Sequence, residues 1–415
     1  MVDYKKSLLF GGIAACAAFG VLSASVALAK VEGDTIVLGA AVSKSGKYST
    51  NGKHTMNGYN LAVEKLNAMG GVTVGGKKYK LKVIYYDDES RGSRGAQLAE
   101  RLINQDKIKY MLGPYSSGLT RAIVPVTEKY KIPMVEANGA SRSLFTKGYK
   151  YLFAVLSTSE QYLTSAIALA AEKAKEAGKN PNTLKVALAF ENDPFSQDVR
   201  AGVIDDAKRY GMKIVVDGRL PRDLSDMKGI LQKVKLVKPD VLVVSGHAKG
   251  AALAIRQIAA LRVHVPMLAM THCDSARVIK KYGKRAEYTL CASQWAPTLS
   301  YKDKVFGSAA DFAKTFKDKY GYAPPYQAAE SAAAVLVYAD AFQRANSFDT
   351  AKVRDALAAT EMQTFYGNVK FDPTGKNTSK PMVLYQIQDG QYKVVAPTKW
   401  ASSKIRHPIP SWDKR

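Results

Sequence analysis

Short apolar runs rich in β-branched residues alternate with segments of helical periodicity along most of the chain. The run from Thr35 to Val42 predicts a buried strand, and apolar positions between Met56 and Met69 are spaced for a helix that ends at Gly70. Near-continuous apolar strands joined by helices are typical of parallel sheets covered on both faces. The same alternation predicts strands at 81–86, 109–112, 133–136, 184–190, 213–216, 240–244 and 265–270, with helices at 118–130, 195–210, 226–237 and 247–261.

The alternation falls into two runs of similar length, 35–150 and 151–275. We therefore expect an α/β fold of two lobes, each with a doubly wound parallel sheet. Short crossings are expected to join the lobes near 151–157, 286–295 and 362–372.

The pattern changes after residue 300. It predicts helices at 301–320, 325–346 and 350–359, and then a strand-like segment at 367–371. The Asp389-Gly390 pair between two alternating runs is a strong hairpin signal, so 383–387 and 392–395 are predicted to pair.

The N-terminus predicts export. Lys5 and Lys6 precede an uncharged stretch over 7–29, which ends in Val-Ala-Leu-Ala at 26–29. A charged head, an apolar stretch and small residues before a polar segment describe a cleavable signal peptide. We expect residues 1–29 to be removed, so that a soluble periplasmic protein begins at Lys30.

Two alternatives to cleavage at residue 29 stay open. The apolar stretch is long enough to act as an uncleaved anchor. The sequence Ile13-Ala14-Ala15-Cys16 also matches a bacterial lipoprotein cleavage box, which would leave a lipid on Cys16.

Net charge changes the picture little. The 415 residues contain 61 Lys+Arg and 36 Asp+Glu, a net charge of +25, but the basic residues are scattered over many short segments. Neither a zinc-finger nor an RNA-recognition signature accompanies them, so we expect no nucleic-acid partner. A positive field favours anionic solutes in general.

The sequence favours neither a metal site, nor a cofactor, nor catalysis. It has no His-x-x-His or Cys-x-x-Cys pair, no Walker loop, no Gly-x-Ser-x-Gly elbow, and no Gly-x-Gly-x-x-Gly after the first strand. The consecutive residues His272, Cys273 and Asp274 point in different directions and do not by spacing form a catalytic relay. Cys273 and Cys291 either form a disulfide in an oxidising compartment or are two buried thiols.

Ligands of open α/β sheets bind beyond the carboxyl ends of the strands. Ser116 and Ser117 open a helix at such a place, where hydroxyls and unpaired backbone N–H groups suit a carboxylate. The alternative is that both serines only cap the helix. The loops expected at these strand ends are 43–49, 113–118, 137–143, 191–196, 245–249 and 270–275.

Three motifs of this chain resemble one family, the type I solute-binding proteins of ABC importers, and are nearest to its leucine/isoleucine/valine-binding branch. The motifs are Asp87-Asp88-Glu89-Ser90, Leu102-Ile103-x-x-Asp106-Lys107 and Gly113-Pro114-Tyr115-Ser116-Ser117. The resemblance covers about 34–395. It implies two lobes that close on a small solute about a three-strand hinge, and membrane subunits of a permease that receive the solute. We expect a monomer.

The predicted strands and this resemblance together set the expected domain boundaries. Lobe 1 is expected to comprise 30–150 with about 296–361. Lobe 2 is expected to comprise 151–285 with about 373–415.

The resemblance also implies a carboxylate site in the first lobe. In the family, a position matching Ser117 and a Gly-Ala-Thr loop after the next strand hold the ligand's α-carboxylate. This chain reads Gly139-Ala140-Ser141 there, so Ser117, Gly139, Ala140 and Ser141 are expected to bind a carboxylate.

The second lobe departs from the amino-acid pattern. The family's acidic residue, which pairs with the ligand's ammonium, matches a loop that reads Thr271-His272-Cys273 here, and two family tyrosines fall near Phe195 and His247. A buried ammonium without a partner is costly. We therefore expect an aromatic acid, a hydroxycinnamate or benzoate, with its ring on Phe195 and a ring hydroxyl at His247 or Thr271. A branched-chain or other amino acid is the alternative ligand, and a ligand sensor is less favoured. The alternative for Phe195 and His247 is that both side chains pack inside the second lobe.

Two further residues are candidates. Tyr48 either flanks the cleft or is an exposed loop residue. Gln327, at the start of a predicted helix, either touches the ligand or packs the helix N-terminus.

Overall fold

The computed structural model describes residues 31–415 and contains two seven-stranded sheets. The predicted signal peptide, Cys16 and the expected new terminus at Lys30 lie outside the described residues. The expected α/β fold with parallel-dominated sheets is confirmed.

The first sheet is built around β2, whose residues after Thr35 are all buried. β2 pairs in parallel with β4 and β5, and β6 and β7 extend the sheet in parallel, while β1 and β3 are antiparallel edges. Its elements are β1 (Val31–Glu32), β2 (Thr35–Ala41), α1 (Ser49–Ala68), β3 (Val72–Val74), β4 (Lys77–Tyr86), α2 (Gly92–Asn104), β5 (Met111–Leu112), α3 (Ser117–Lys129), β6 (Met134–Glu136) and β7 (Leu152–Ala154).

The second sheet has the order β18-β17-β12-β11-β10-β8-β9. Strands β8 to β12 run parallel, and the antiparallel hairpin β17–β18 completes one edge, which confirms the hairpin predicted around Asp389 and Gly390. Its elements are α4 (Thr164–Glu176), β8 (Lys185–Glu191), α5 (Pro194–Arg209), β9 (Lys213–Leu220), α6 (Lys228–Val237), β10 (Val241–Ser245), α7 (Ala248–Ala260), β11 (Met267–Met270), α8 (Ala276–Tyr282), β12 (Leu290–Ser293), β17 (Val383–Gln388) and β18 (Gln391–Ala396).

The segment between β12 and β17 returns to the first sheet. Its longest helix, α10, packs against α1, β3 and β6 and is buried over most of its length. Gly58 permits this contact, because a Cβ there would lie 2.2 Å from the Ala328 carbonyl oxygen. The elements are β13 (Lys302–Asp303), β14 (Gly307–Ser308), α9 (Ala309–Tyr320), α10 (Tyr326–Ala345), α11 (Thr350–Ala358), β15 (Glu361–Thr364) and β16 (Gly367–Lys370).

The helix predicted over 301–320 begins eight residues later, at Ala309, so that prediction was wrong at its start. The carboxylate of Asp303 accepts hydrogen bonds from the backbone N–H groups of Val305 and Phe306, and this turn holds the first residues in a small hairpin. Ser308 and Asp311 then form a capping box that starts the helix.

Three connecting segments lie side by side between the two sheets. They follow β7, follow β12 and precede β17, and each contributes one residue to a buried cluster of Ser157, Gln294 and Lys380. The Gln294 amide donates to the Ser157 carbonyl at 2.9 Å, and the Ser157 hydroxyl donates to the Lys380 carbonyl at 2.7 Å. The Lys380 ammonium donates back to the Gln294 carbonyl, and burial lowers the pKa of Lys380 to about 7. These three segments thus form one hydrogen-bonded junction, while the lobe boundaries and the crossings expected near 151–157, 286–295 and 362–372 stay predictions.

A disulfide joins Cys273 to Cys291, with an S–S distance of 2.11 Å. It ties the loop after β11 to the neighbouring strand β12. Of the two possibilities that the sequence left open for these cysteines, the structure has the bonded one.

Candidate functional site

The loops at the carboxyl ends of the two sheets face each other, and we call the space between them the cleft. Side chains from opposite sheets meet directly across it. The Lys47 ammonium lies 2.6 Å from a carboxylate oxygen of Glu191, and the Ser141 hydroxyl donates to Asp198 at 2.5 Å. The two sheets are therefore closed on each other in this structure.

Aromatic and imidazole rings fill the middle of the cleft. The Phe195 ring centroid lies 5.7 Å from that of His247 and 5.1 Å from that of His272, and Tyr48 lies 4.8 Å from His247. Each of these side chains belongs to a residue less than 9% exposed. We call this group the ring cluster; its members are Tyr48, Tyr115, Phe195, His247, His272 and Tyr326.

The hydroxyl of Tyr115 stands at the centre of the ring cluster. Its oxygen lies 2.8 Å from Nδ1 of His247 and 2.9 Å from Nε2 of His272. Burial, with His247 nearby, lowers the pKa of His272 to about 3, so this imidazole is neutral at physiological pH. Tyr115 belongs to the first sheet and both histidines to the second, so these contacts span the cleft.

Asp193 supports His247 from behind. The carboxylate caps α5 by accepting from the N–H groups of Phe195 and Ser196, and Oδ1 lies 3.5 Å from His247 Nε2. Burial alone would raise the pKa of Asp193, but His247 and the bonds from Ser196 hold it at about 2. A carboxylate behind the imidazole favours the ring proton on Nε2, which leaves Nδ1 to accept a hydrogen bond.

The serines predicted to bind a carboxylate are buried and adjacent. Ser116 caps α3 by accepting from the Leu119 N–H at 3.3 Å, as the capping alternative expected. The Ser117 hydroxyl oxygen accepts from the Ser141 N–H at 2.9 Å, which brings the two predicted loops together. In this closed arrangement the Ser141 hydroxyl is engaged with Asp198. Whether these groups bind a carboxylate stays a prediction.

Glu136 holds the loop that contains Gly139 and Ala140. Its Oε1 accepts from the N–H groups of Asn138 at 2.6 Å and Gly139 at 2.7 Å, and its Oε2 accepts from the Thr120 hydroxyl at 2.9 Å. Burial raises the pKa of Glu136 to about 7. The Ala140 carbonyl accepts from a backbone N–H at 2.8 Å. The loop is therefore fixed by a carboxyl group that the sequence interpretation did not single out.

The remaining predicted site residues divide into two groups. Phe195, His247 and Tyr48 lie in the ring cluster, and Tyr48 is 8% exposed, so the alternative of an exposed loop tyrosine is wrong. Thr271 is engaged within the second sheet, where its hydroxyl donates to the Gly246 carbonyl at 3.0 Å. Gln327 is buried at the start of α10, beside Tyr326.

Sequence reasoning missed three members of the ring cluster as site residues, namely Tyr115, His272 and Tyr326. The Tyr326 hydroxyl lies 3.3 Å from His272 Nε2. Tyr115 directly precedes the two serines that the sequence singled out, so its position in the same loop was the available signal. His272 takes a backbone φ of 57°, and this left-handed geometry could not be read from the residue types.

Two cavities adjoin the ring cluster. One of about 90 Å³ is lined by Lys47, Glu191 and His247, and it is far smaller than a typical ligand pocket of roughly 300 Å³ or more. A groove of about 490 Å³ is lined by Asp274 and Tyr326 together with Tyr385 and Trp295. Burial raises the pKa of Asp274 to about 7. The carboxyl group of Asp274 is thus present near the ring cluster, although the preceding loop Thr271-His272-Cys273 contains no acidic residue.

Residues 31–415 contain no group of side chains arranged to hold a metal ion. In the same part of the chain, no helix has the length and apolar character needed to span a bilayer.

The comparisons with known proteins agree on one family. The sequence profile described as "Periplasmic binding protein" matches residues 35–391. "Leu/Ile/Val-binding protein homolog 7" of Brucella suis biovar 1 is 24% identical over 386 residues, covering 90% of this chain and 94% of the relative.

Two solved structures share the fold. The branched-chain amino acid transporter substrate binding protein LivJ from Streptococcus pneumoniae, in complex with isoleucine, superposes with a TM-score of 0.75 at 23% identity and covers 88% of this chain and 100% of its own. A solute binding protein of an ABC transporter from Rhodopseudomonas palustris BisB5, in complex with 3,4-dihydroxy benzoic acid, gives 0.76 at 19% identity and covers 92% and 100%.

Proposed function

This chain belongs to the periplasmic binding protein family, the substrate-binding proteins of ABC transporters, and from that premise we propose that it captures a small carboxylate-bearing solute in its cleft. The permease subunits of an ABC importer would receive the solute. The observation that supports this most is the juxtaposition of the buried serine loops of the first sheet with the ring cluster.

We favour an aromatic acid, a hydroxycinnamate or a benzoate, as the solute. The cluster offers ring faces and edges from Phe195 and Tyr48, and aromatic pairs add about 0.5–1.5 kcal/mol beyond area burial. Of the polar groups at its centre, His272 is neutral because burial lowers its pKa to about 3, and His247 Nδ1 lies 2.8 Å from the Tyr115 hydroxyl. The related structure in complex with 3,4-dihydroxy benzoic acid is consistent with this class in the family.

A branched-chain or other amino acid is the second candidate, and Asp274 is the observation that favours it. This carboxyl borders Tyr326 in the groove of about 490 Å³, so it is within the neighbourhood of the ring cluster. Burial keeps its pKa at about 7, and an ammonium brought beside it would favour the ionised form. The LivJ structure contains isoleucine.

Calorimetry on the purified protein separates the two candidates. We expect heat from benzoate, 4-hydroxybenzoate and 4-hydroxycinnamate, and weaker binding of leucine and isoleucine. Ser117→Ala should weaken every carboxylate ligand by about tenfold, because a charge-assisted hydrogen bond is lost. Ser347→Ala, in the turn between α10 and α11, is the matched control and should leave affinity unchanged. Tight leucine binding with no heat from the aromatic acids would assign the protein to the amino-acid class.

The protein would capture the solute by opening and closing two lobes, whose residue boundaries are those expected from the sequence. The cross-cleft contacts of Lys47, Ser141 and Tyr115 must break for a solute to enter, and the junction of three crossings is the place about which the lobes would rotate. Small-angle scattering should give a smaller radius of gyration with ligand than without. An unchanged profile at saturation would argue for a static module.

We place the protein in the periplasm as a monomer, exported by the signal peptide at 1–29. Mass spectrometry of the exported protein should give an N-terminus at Lys30. An intact Met1 or a lipidated Cys16 would contradict the soluble form.

A further inference from the structure

We propose that Tyr115 occupies, in the closed cleft, the place of a ligand's hydroxylated ring, so that the preferred solute is a phenolic acid that displaces this side chain. This inference rests on the proposed function and narrows the proposed ligands from aromatic acids to phenolic acids. It concerns how the cleft recognises the ligand's ring hydroxyl, whereas the proposed function concerns how the cleft binds the ligand's carboxylate.

The hydrogen bonds of Tyr115 define what the position recognises. Its one oxygen is within 2.9 Å of both His247 Nδ1 and His272 Nε2. A phenol has one proton to donate and lone pairs to accept. With Asp193 favouring the proton on His247 Nε2, Tyr115 donates to His247 Nδ1, and its oxygen also lies within hydrogen-bond distance of His272 Nε2.

The space around Tyr115 requires a displacement. The residue is 2% exposed, and the cavity beside His247 has a volume of only about 90 Å³. An aromatic acid can be enclosed against Phe195 and both histidines only after the Tyr115 ring has left. The residue lies in the loop of the first sheet, and its two partners lie in the second, so opening of the cleft breaks both bonds.

Displacement leaves His247 Nδ1 without a partner, while His272 Nε2 keeps only the Tyr326 hydroxyl, at 3.3 Å. His247 and His272 are 4% and 5% exposed, so neither nitrogen can turn to bulk water once the cleft closes again. The other nitrogens of these rings offer little further compensation, because His272 Nδ1 is buried without a hydrogen-bond partner and His247 Nε2 faces only the Asp193 carboxylate, at 3.5 Å. A ring hydroxyl can donate to the freed His247 Nδ1, whereas a methoxy group has no proton to donate and a bare ring forms no hydrogen bond there.

Such a site discriminates strongly between ligands with and without a ring hydroxyl. A site built to hydrogen-bond a hydroxyl rejects an analogue without it, because its own polar groups are then left unpaired. We expect 4-hydroxybenzoate to bind the wild-type protein about tenfold or more tightly than benzoate or 4-methoxybenzoate.

Variants at position 115 test the displacement. Tyr115→Ala removes the competing ring and should bind 4-hydroxybenzoate about tenfold more tightly than wild type. Tyr115→Phe keeps the ring and loses both bonds, so it should show an intermediate gain. Circular dichroism spectra that match wild type establish that the variants are folded. If Tyr115→Ala does not fold, Tyr115→Phe still tests the displacement.

Calorimetry with these probes separates the two proposals. If wild type binds benzoates but the variants bind them no better and show no preference for a hydroxyl over a methoxy group, the displacement is overturned and the proposed function stands. If leucine binds wild type while 4-hydroxybenzoate binds neither wild type nor Tyr115→Ala, the aromatic ligand class and the displacement are both overturned, and the carboxylate function stands. Weaker binding of 4-hydroxybenzoate to Tyr115→Ala than to wild type would overturn the inference, since Tyr115 would then be a ligand contact.

Discussion

Replacing Glu136 by leucine should release the loop on which the predicted carboxylate site depends. Glu136 is fully buried, and its Oε1 accepts from the backbone N–H groups of Asn138 and Gly139. Leucine fills similar space but offers no acceptor. Two buried N–H groups would then lose their partner just before Ala140 and Ser141.

The magnitude follows from those two groups. A buried donor left unsatisfied costs about 1–3 kcal/mol, so two cost about 2–6 kcal/mol. The Thr120 hydroxyl keeps a second acceptor, the Ser116 carbonyl at 2.9 Å, and adds little. Removing a buried carboxyl group recovers part of its desolvation penalty. We expect Glu136→Leu to lower the free energy of unfolding by about 2–4 kcal/mol.

Glu136→Gln is the matched control, because its amide oxygen can still accept from both N–H groups. Urea unfolding of wild type and both variants at pH 7 should therefore place Glu136→Gln between the other two proteins. Wild-type stability in Glu136→Leu would refute the reasoning that this side chain holds the loop.

The comparison of wild type with Glu136→Gln also tests the pKa of Glu136. Burial raises its pKa from 4.5 to about 7, so the folded state holds the proton more tightly than the unfolded state. Its contribution to stability is fully present below about pH 4.5 and is lost as the pH rises through 7, at about 1.4 kcal/mol per pH unit within that window. The difference in unfolding free energy between wild type and Glu136→Gln should fall accordingly. Parallel pH profiles would contradict the raised pKa.

Two further predictions concern the cross-links. Replacing Cys273 and Cys291 by serine should lower the free energy of unfolding by about 3 kcal/mol, because the disulfide closes a loop of 18 residues. If reductant leaves the melting temperature of the wild-type protein unchanged, the disulfide is contradicted. Lys47→Ala removes the partner of the buried Glu191 carboxylate across the cleft and should raise the radius of gyration of the ligand-free protein. Lys314→Ala, which removes an exposed ion pair within α9, should not. Equal scattering profiles for wild type and Lys47→Ala would count against the closed contact.

The parallel sheets could be predicted because their strands are distinctive in composition. β2 is a continuous apolar run bounded by polar residues, and its strand character needs no tertiary information. The start of α9 could not be predicted, since the turn at Asp303 depends on one side chain accepting from two backbone N–H groups. Helical periodicity alone extended that helix too far toward its N-terminus.

The loops of the candidate site could be predicted, but not which side chains meet in them. Strand order places the segments after β5, β8 and β10 at the sheet edges, which located Ser117, Phe195 and His247. The choice between Thr271 and His272 depends on loop backbone angles, and Tyr115 entered the site only through a contact with the opposite sheet. Long-range contacts of this kind have no local pattern in the sequence.

The interleaving of the chain between the two sheets has a consequence for synthesis. Helix α10, which covers the first sheet, emerges from the ribosome only after all the parallel strands of the second, and the edge of β12 stays bare until β17 is made. Neither half can therefore finish folding while the chain is still growing, and folding waits on contacts between distant segments. This delay would suit the export proposed above, because a chain that has not yet reached its native state can still be threaded through a membrane channel.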